Sequence, residues 1–285
     1  MIVKAFTYSK YHGKPPVGST RLRALQLMKY WPEYTEYQYG EKSDVMIFQK
    51  VYIQNDWKWP AKIEGLKILD ICDPDWLEGQ PVRETLDAMD GVTCPTKAMA
   101  EFLAQLTDKP IKIIPDRHDI ELVAPLKKHR GHLNSAVWFG YRQNADLLKS
   151  AIPVIERLGL ELTVISNEDP FVHQWADPKN IKNYHYLKFD EETILTDLAK
   201  YDVAILPKGN RPQDRFKSNN KTTLAWLAGL PVVQDAEQLE AMITPTARDR
   251  VASVCYNKAI KEYDVKQSVI EMKGFINELT NNNIR

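Results

Sequence analysis

Between Tyr201 and Val233 the chain reads YDVAILPKGNRPQDRFKSNNKTTLAWLAGLPVV, with basic residues gathered ahead of a predicted helix. Arg211, Arg215, Lys217 and Lys221 lead into a first turn that carries Thr222 and Thr223. A helix N-terminus offers unpaired backbone N–H groups and a positive dipole end, and neighbouring ammonium groups add full charge. That combination suits a diphosphate. An ordinary crossover between two strands, with a solvated basic loop, fits the same letters.

Three other clusters carry groups capable of chemistry. Gly18, Ser19, Thr20 and Arg21 lie between a first strand and a first helix. Glycine admits a close backbone approach, Ser19 or Thr20 suits a helix cap, and Arg21 suits an anion; a capped helix with solvated arginines fits equally. Asp70, Asp73 and Asp75 cluster at the end of a predicted strand, with Trp76 beyond them. Such carboxylates can deprotonate a hydroxyl, hold a sugar, bind a divalent metal as an Asp70–Asp73 pair, or simply cap a turn. His118 stands among carboxylates in Pro115-Asp116-Arg117-His118-Asp119, which suits a base or a surface turn. No Walker loop or GxGxxG fingerprint is present, which argues against an NTPase or a dehydrogenase.

These groups need a frame, and strand and helix signals alternate along all 285 residues. Expected strands are Ile2–Tyr8, Val45–Gln49, Lys67–Cys72, Gly91–Cys94 and Lys112–Ile114, then Ala136–Gly140, Leu160–Ser166, Asn183–Leu187, Val203–Leu206 and Pro231–Gln234. Expected helices span Thr20–Trp31, Pro81–Met89, Lys97–Leu106, Asp146–Leu158 (interrupted by Pro153), Thr193–Lys200, the residues after Asn220, and Val265–Leu279. The polar tail from Thr280 to Arg285 is expected to fray. A basic run from Pro125 to Asn134 separates two such series, as a linker or a contact for an acidic partner or lipid headgroups. The expected organisation is α/β, with two Rossmann-like doubly wound domains over 1–126 and 133–285, facing across a cleft.

Lysine plus arginine equals aspartate plus glutamate, 38 each, so a dedicated nucleic-acid binder is disfavoured. Cys72, Cys94 and Cys255 are scattered and fit reduced thiols better than a disulfide frame or a zinc site. The start MIVKAFTYS lacks the features of a signal peptide, and no apolar run approaches the roughly 20 residues of a membrane span. A cytoplasmic location is expected, in a bacterium or a phage-infected host.

The Tyr201–Val233 segment resembles the nucleotide-sugar site of GT-B glycosyltransferases of the glycogen synthase and group 1 type. Asp202, Val203, Pro207, Lys217, Lys221, Ala225, Gly229, Pro231, Val232 and Val233 fit that family's D-V … P … K … A-x-x-x-G-x-P-V-V pattern. Leu224 stands where many retaining members have glutamate, and Asp214 lies near another acidic position of the family.

The resemblance implies an NDP-sugar-dependent hexosyltransferase acting on a hydroxyl of a glycan, a lipid-linked glycan or a hydroxymethylated DNA base, the last as in phage DNA glucosyltransferases. It implies a nucleoside-diphosphate-sugar donor, UDP-sugar foremost, and neither a metal nor another cofactor. Arg142, Lys217 and Lys221 would hold the diphosphate beside Thr222 and Thr223. Ser166, Asn167, Leu187 and Phe189 would frame the base, and Gly18, Ser19 and Arg21 would form the acceptor and phosphate loop. Asp73 would face the reacting centre, with Asp70 and His118 as further catalytic candidates, and the last helix would cross back to the first domain. Trp57, Trp59 and Trp76 suit either ring stacking or core volume. The alternative reading is a non-catalytic nucleotide-sugar-binding module.

Overall fold

The computed structural model describes residues 1–53, 64–173 and 183–282. Trp57 and Trp59 lie outside that range. The chain forms two compact units: Met1–Asp119 with Arg211–Ser218 and Asp264–Arg285, and Ile120–Asn210 with Asn219–Tyr263.

The first unit is built on a parallel six-stranded sheet in the order β2-β1-β3-β4-β5-β6. Its strands are β1 (Val3–Thr7), β2 (Tyr34–Glu36), β3 (Val45–Gln49), β4 (Leu66–Asp70), β5 (Gly91–Cys94) and β6 (Ile111–Ile113). Alternating side chains serve opposite faces, as the two-residue period of a strand requires. Val45 and Ile47 join one apolar cluster with the 265–279 helix, while Met46 and Phe48 join another with Leu86, Met99 and Phe216. Burial on both faces explains why β3 is apolar at four successive positions.

The second unit carries a parallel five-stranded sheet in the order β11-β10-β7-β8-β9. These strands are β7 (Ser135–Phe139), β8 (Glu161–Ser166), β9 (Tyr184–Lys188), β10 (Val203–Ile205) and β11 (Val232–Val233). Trp138, Val164, Ile205 and Leu230 lie in its single large core. Pro153 divides the expected 146–158 helix: a 3-10 stretch runs Arg142–Ser150, and an α-helix, Ile152–Leu158, takes the proline into its first turn. Gly159 ends that helix at φ 64, a left-handed cap.

The N-terminal segment of the first unit runs to Asp119, and the basic run belongs to the second unit. There Lys127 donates to the carbonyls of Ala199 and Tyr201, and His129 lies 3.0 Å from the Gly229 carbonyl. Within the run Lys127, His129 and Leu133 are thus packed, while Lys128, Arg130, Gly131 and His132 are exposed. The final helix, Val265–Asn282, belongs to the first unit and continues three residues into the tail expected to fray. Elements that come in addition include the short edge strand β2, the Ala236–Glu240 helix and the Pro245–Glu262 helix, the last capped by Thr244.

Candidate active site

In the second unit the strand order reverses between β7 and β10, so the connections leaving their carboxyl ends diverge and leave a crevice there. Gly140 follows β7 with φ +152, and a β-carbon at this position would sit 3.3 Å from Lys221 Nζ. Lys221 opens the Asn220–Leu227 helix, and its ammonium lies 5.5 Å from the centre of the buried Trp138 ring. Absence of a side chain at 140 thus lets a cation lie against the loop after β7. The dipole of the Asn220–Leu227 helix adds to that positive field. Thr222 is half-buried in the first turn, whereas Thr223 is fully buried and donates to the Asn220 carbonyl at 2.9 Å.

The neighbouring loops supply the remaining donor-side candidates. The Arg142 backbone N–H donates to Asn167 Oδ1 at 3.0 Å, tying the loop after β7 to the loop after β8. The Arg142 guanidinium pairs with Glu168 at 2.9 Å. Ser166 is buried and donates to Asn167 Oδ1, and its carbonyl accepts from the Phe189 N–H at 2.8 Å. Leu187 is exposed, and Phe189 is half-buried against the core. Arg142, Ser166, Asn167, Leu187, Phe189 and Lys221 therefore share one sheet edge. Lys217 belongs to the first unit instead, where Lys217 and Arg211 both pair with Asp214. Although burial opposes its charge, those partners and the Arg211 backbone N–H hold the Asp214 carboxyl down at about 2.

In the first unit the order reverses between β1 and β3. Here Gly18 and Ser19 open a helical stretch, Gly18–Thr20, that passes through a π-turn at Arg21–Leu25. Neither Ser19 nor Thr20 caps it, since the cap position is Val17. Thr20 instead lies inside the helix, buried, donating to Gln49 and accepting from Ser9, each at 3.0 Å. Arg21 donates to the Pro16 carbonyl at 3.0 Å.

The acidic cluster separates into two roles. Asp70 is buried, held at both oxygens by Arg23 (2.5 and 3.2 Å) and by Thr93 at 2.6 Å. Asp70 is therefore a framework residue that anchors the helical stretch to β4, not an accessible base. Burial works against a charged Arg23, yet Asp70 and Asp116 outweigh it and hold the guanidinium protonated. Asp73 is 45% exposed and accepts from Lys50 Nζ at 2.6 Å, while Asp75 is buried beneath the same ammonium at 3.4 Å. Burial pushes the Asp75 carboxyl up, and Tyr52 donates to it. The Lys50 ammonium occupies the space between Asp73 and Asp75, and Asp70 is bound elsewhere, so the Asp70–Asp73 metal pair does not form.

His118 is buried, and its backbone pairs with Asp264 and Val265 at the start of the final helix. Around it, Arg117 forms a two-pronged pair with Glu271 (2.7 and 2.8 Å), and Asp119 receives Lys29 and Tyr30. This turn joins elements of the first unit, and His118 is buried within it. Trp76 stacks on Phe102 at 4.3 Å and meets Phe216 edge-on at 5.0 Å, so it is core. Arg23 and Lys50 are the residues that sequence reasoning missed. A polar Gln49-Lys50 pair ending a wholly buried strand is the signal that marks Lys50.

No protein-family model matches the chain, and no curated protein matches it. Solved structures do. Anabaena Alr3699/HepE in complex with UDP and glucose is 12% identical with a TM-score of 0.69, over 97% of this chain and 99% of that one. A DNA-modifying β-glucosyltransferase, studied with and without uridine diphosphoglucose, is 12% identical with a TM-score of 0.62, over 98% and 100%. A G117R mutant of S. aureus TarM, with fondaparinux, α-GlcNAc-glycerol and UDP, is 12% identical with a TM-score of 0.58, over 82% of this chain and 55% of that one. The present chain thus spans about half the length of TarM. Likeness at such identities is likeness of fold: two parallel α/β sheets wound as in these enzymes, which makes the GT-B fold the architecture of this chain.

Proposed function

We propose that the chain is a glycosyltransferase that moves a sugar from a nucleoside-diphosphate-sugar to a hydroxyl acceptor. The observation that carries this reading is Lys221 lying against Gly140 at the strand reversal of the second sheet, with Arg142 two residues further on. Fixed cations and a helix N-terminus there offset the charge that develops on a departing nucleoside diphosphate. UDP is the favoured nucleotide, because structures sharing the fold were determined with UDP or a UDP-sugar. Asn167, Leu187 and Phe189 then flank the base.

Asp73, a half-exposed carboxylate, is the group that takes the proton from the acceptor hydroxyl. As the hydroxyl oxygen bonds to the anomeric carbon, the bond from that carbon to the diphosphate breaks and the nucleotide leaves with its electron pair. Acceptors that meet these demands are glycans, lipid-linked glycans and hydroxymethylated bases. No helix among the described residues is long and apolar enough to cross a membrane.

The test is turnover. UDP-, GDP-, ADP- and TDP-sugars are incubated with an oligosaccharide, a lipid-linked glycan and hydroxymethylated DNA, and nucleotide release is followed. Transfer to one acceptor, with slow hydrolysis in its absence, is expected, and Asp73→Ala should abolish both. Tight donor binding without product from any acceptor favours the non-catalytic binding module, with which Leu224 at the family's glutamate position agrees.

A further inference from the structure

Lys50 directly follows β3 with φ +53 and is the one residue other than glycine with positive φ among the described residues. A side chain in that left-handed region crowds its own backbone, and such strain persists only where surrounding contacts hold it. The backbone N–H of Lys50 still donates to the Asp70 carbonyl at 2.9 Å, so the ladder runs up to this residue before the chain turns away. Its side chain is 16% exposed, and the ammonium meets Asp73 at 2.6 Å, Asp75 at 3.4 Å and the Tyr8 ring at 5.5 Å from its centre.

The partners of Lys50 are themselves fixed from the other side. Tyr52 donates to the second oxygen of Asp75, which makes that carboxylate a rigid anchor for the ammonium. Asp73 turns Oδ2 toward Lys50 and, weakly, toward the Cys72 thiol at 3.8 Å. Its Oδ1 receives no hydrogen bond among the described residues, while the side chain as a whole is 45% exposed. The ammonium is thus used up in orienting a carboxylate whose outer oxygen remains available.

We infer that Lys50 is a positioning residue: its left-handed backbone carries the ammonium to Asp73 and presents Oδ1 to the acceptor hydroxyl. This inference rests on the glycosyl-transfer reading and assigns the strain at position 50 to catalysis rather than to folding. In this assignment Lys50 acts through Asp73, which it meets at 2.6 Å, so its loss acts on the chemical step and leaves donor binding alone.

A double-mutant cycle tests it, using steady-state transfer with the sugar nucleotide and acceptor that the wild type turns over. Lys50→Met should lower kcat about a hundredfold with donor KM within twofold, a loss on the scale of a general base. Lys50→Arg should recover most of that loss. Asp73→Asn should fall at least as far, and the Lys50→Met/Asp73→Asn double variant no further than Asp73→Asn alone. Multiplying losses in the double variant, or full activity in Lys50→Met, would overturn the inference. Lys50→Gly relieves the backbone and guards against misfolding of the methionine variant; its crystal structure should show Asp73 in a new or divided conformation, and an unmoved Asp73 would count against the assignment. Should the wild type turn over no sugar nucleotide, the functional reading fails, and that crystal structure still decides what Lys50 holds.

Discussion

Arg23 and Asp70 form a buried ion pair, 2.5 Å between Nη2 and Oδ1, with side chains 3% and 1% exposed. Such a pair contributes little net stability when intact, but removing one partner leaves the other charge buried and uncompensated. Asp70→Ala should therefore cost about 3–5 kcal/mol in urea unfolding of the first unit. An Asp70→Ala protein as stable as the wild type would contradict the framework role given to this residue.

Much of the architecture was legible in the sequence because doubly buried strands advertise themselves. Val45–Gln49 and Gly91–Cys94 match their expected bounds. Other elements were not legible. Tyr34–Glu36 is an edge strand of three residues directly after a proline-containing turn, too short for any period. The Pro245–Glu262 helix has apolar residues on more than one side, Val254 being 66% exposed, so no single stripe stands out; only Thr244-Pro245 marked its start. Within the proposed site, Arg142 could be nominated from the sequence because it follows the β7 strand signal, and Lys221 because it sits in the first turn of an expected helix. Arg23 and Lys50 could not, since the carboxylates that define them lie 47 and 23 residues away.

Glu168 competes with any anionic ligand for Arg142, which it meets at 2.9 Å. Both side chains are a third or more exposed, so the pair itself is weak. Replacing it by glutamine removes a like charge from the proposed diphosphate site. Glu168→Gln should bind UDP a few-fold tighter in isothermal titration, with the largest gain at low salt. Weaker binding by this variant would show that Glu168 contacts the ligand itself.

Gly91 starts β5 beneath the final helix, where a β-carbon would lie 2.7 Å from Leu279 Cδ1 and 2.9 Å from Phe275 Cζ. Both side chains must move to admit a methyl group. Gly91→Ala should destabilise the protein by about 1–3 kcal/mol, the usual cost of overpacking. Made in a Leu279→Ala background, Gly91→Ala should cost less than it does in the wild type, as read by thermal unfolding. An equal cost in both backgrounds would contradict the packing argument.

His129 links its Nε2 to the Gly229 carbonyl at 3.0 Å, and its buried Nδ1 has no hydrogen-bond partner among the described residues. Burial, then the charge of Lys127, lowers its pKa below the ordinary 6.5. The unfolded chain thus binds this proton more readily than the folded one. The resulting stability is present above pH 6.5 and is lost as pH falls through the lowered value. His129→Gln keeps a donor for Gly229 without titrating. It should reduce the fall in melting temperature between pH 7 and pH 5; an equal fall in both proteins would exclude His129 as its source.

The central claim is that the carboxyl edge of the second sheet is a nucleoside-diphosphate site built by Lys221 and Arg142. Thermal unfolding with and without UDP, GDP, ADP and TDP reads it directly, since a ligand that binds the native state raises its melting temperature. UDP should raise it in the wild type, and Arg142→Ala/Lys221→Ala should weaken UDP by at least about tenfold, or 1.4 kcal/mol, while remaining folded. A wild type indifferent to all four nucleotides, or a double variant that binds UDP as the wild type does, would contradict the account.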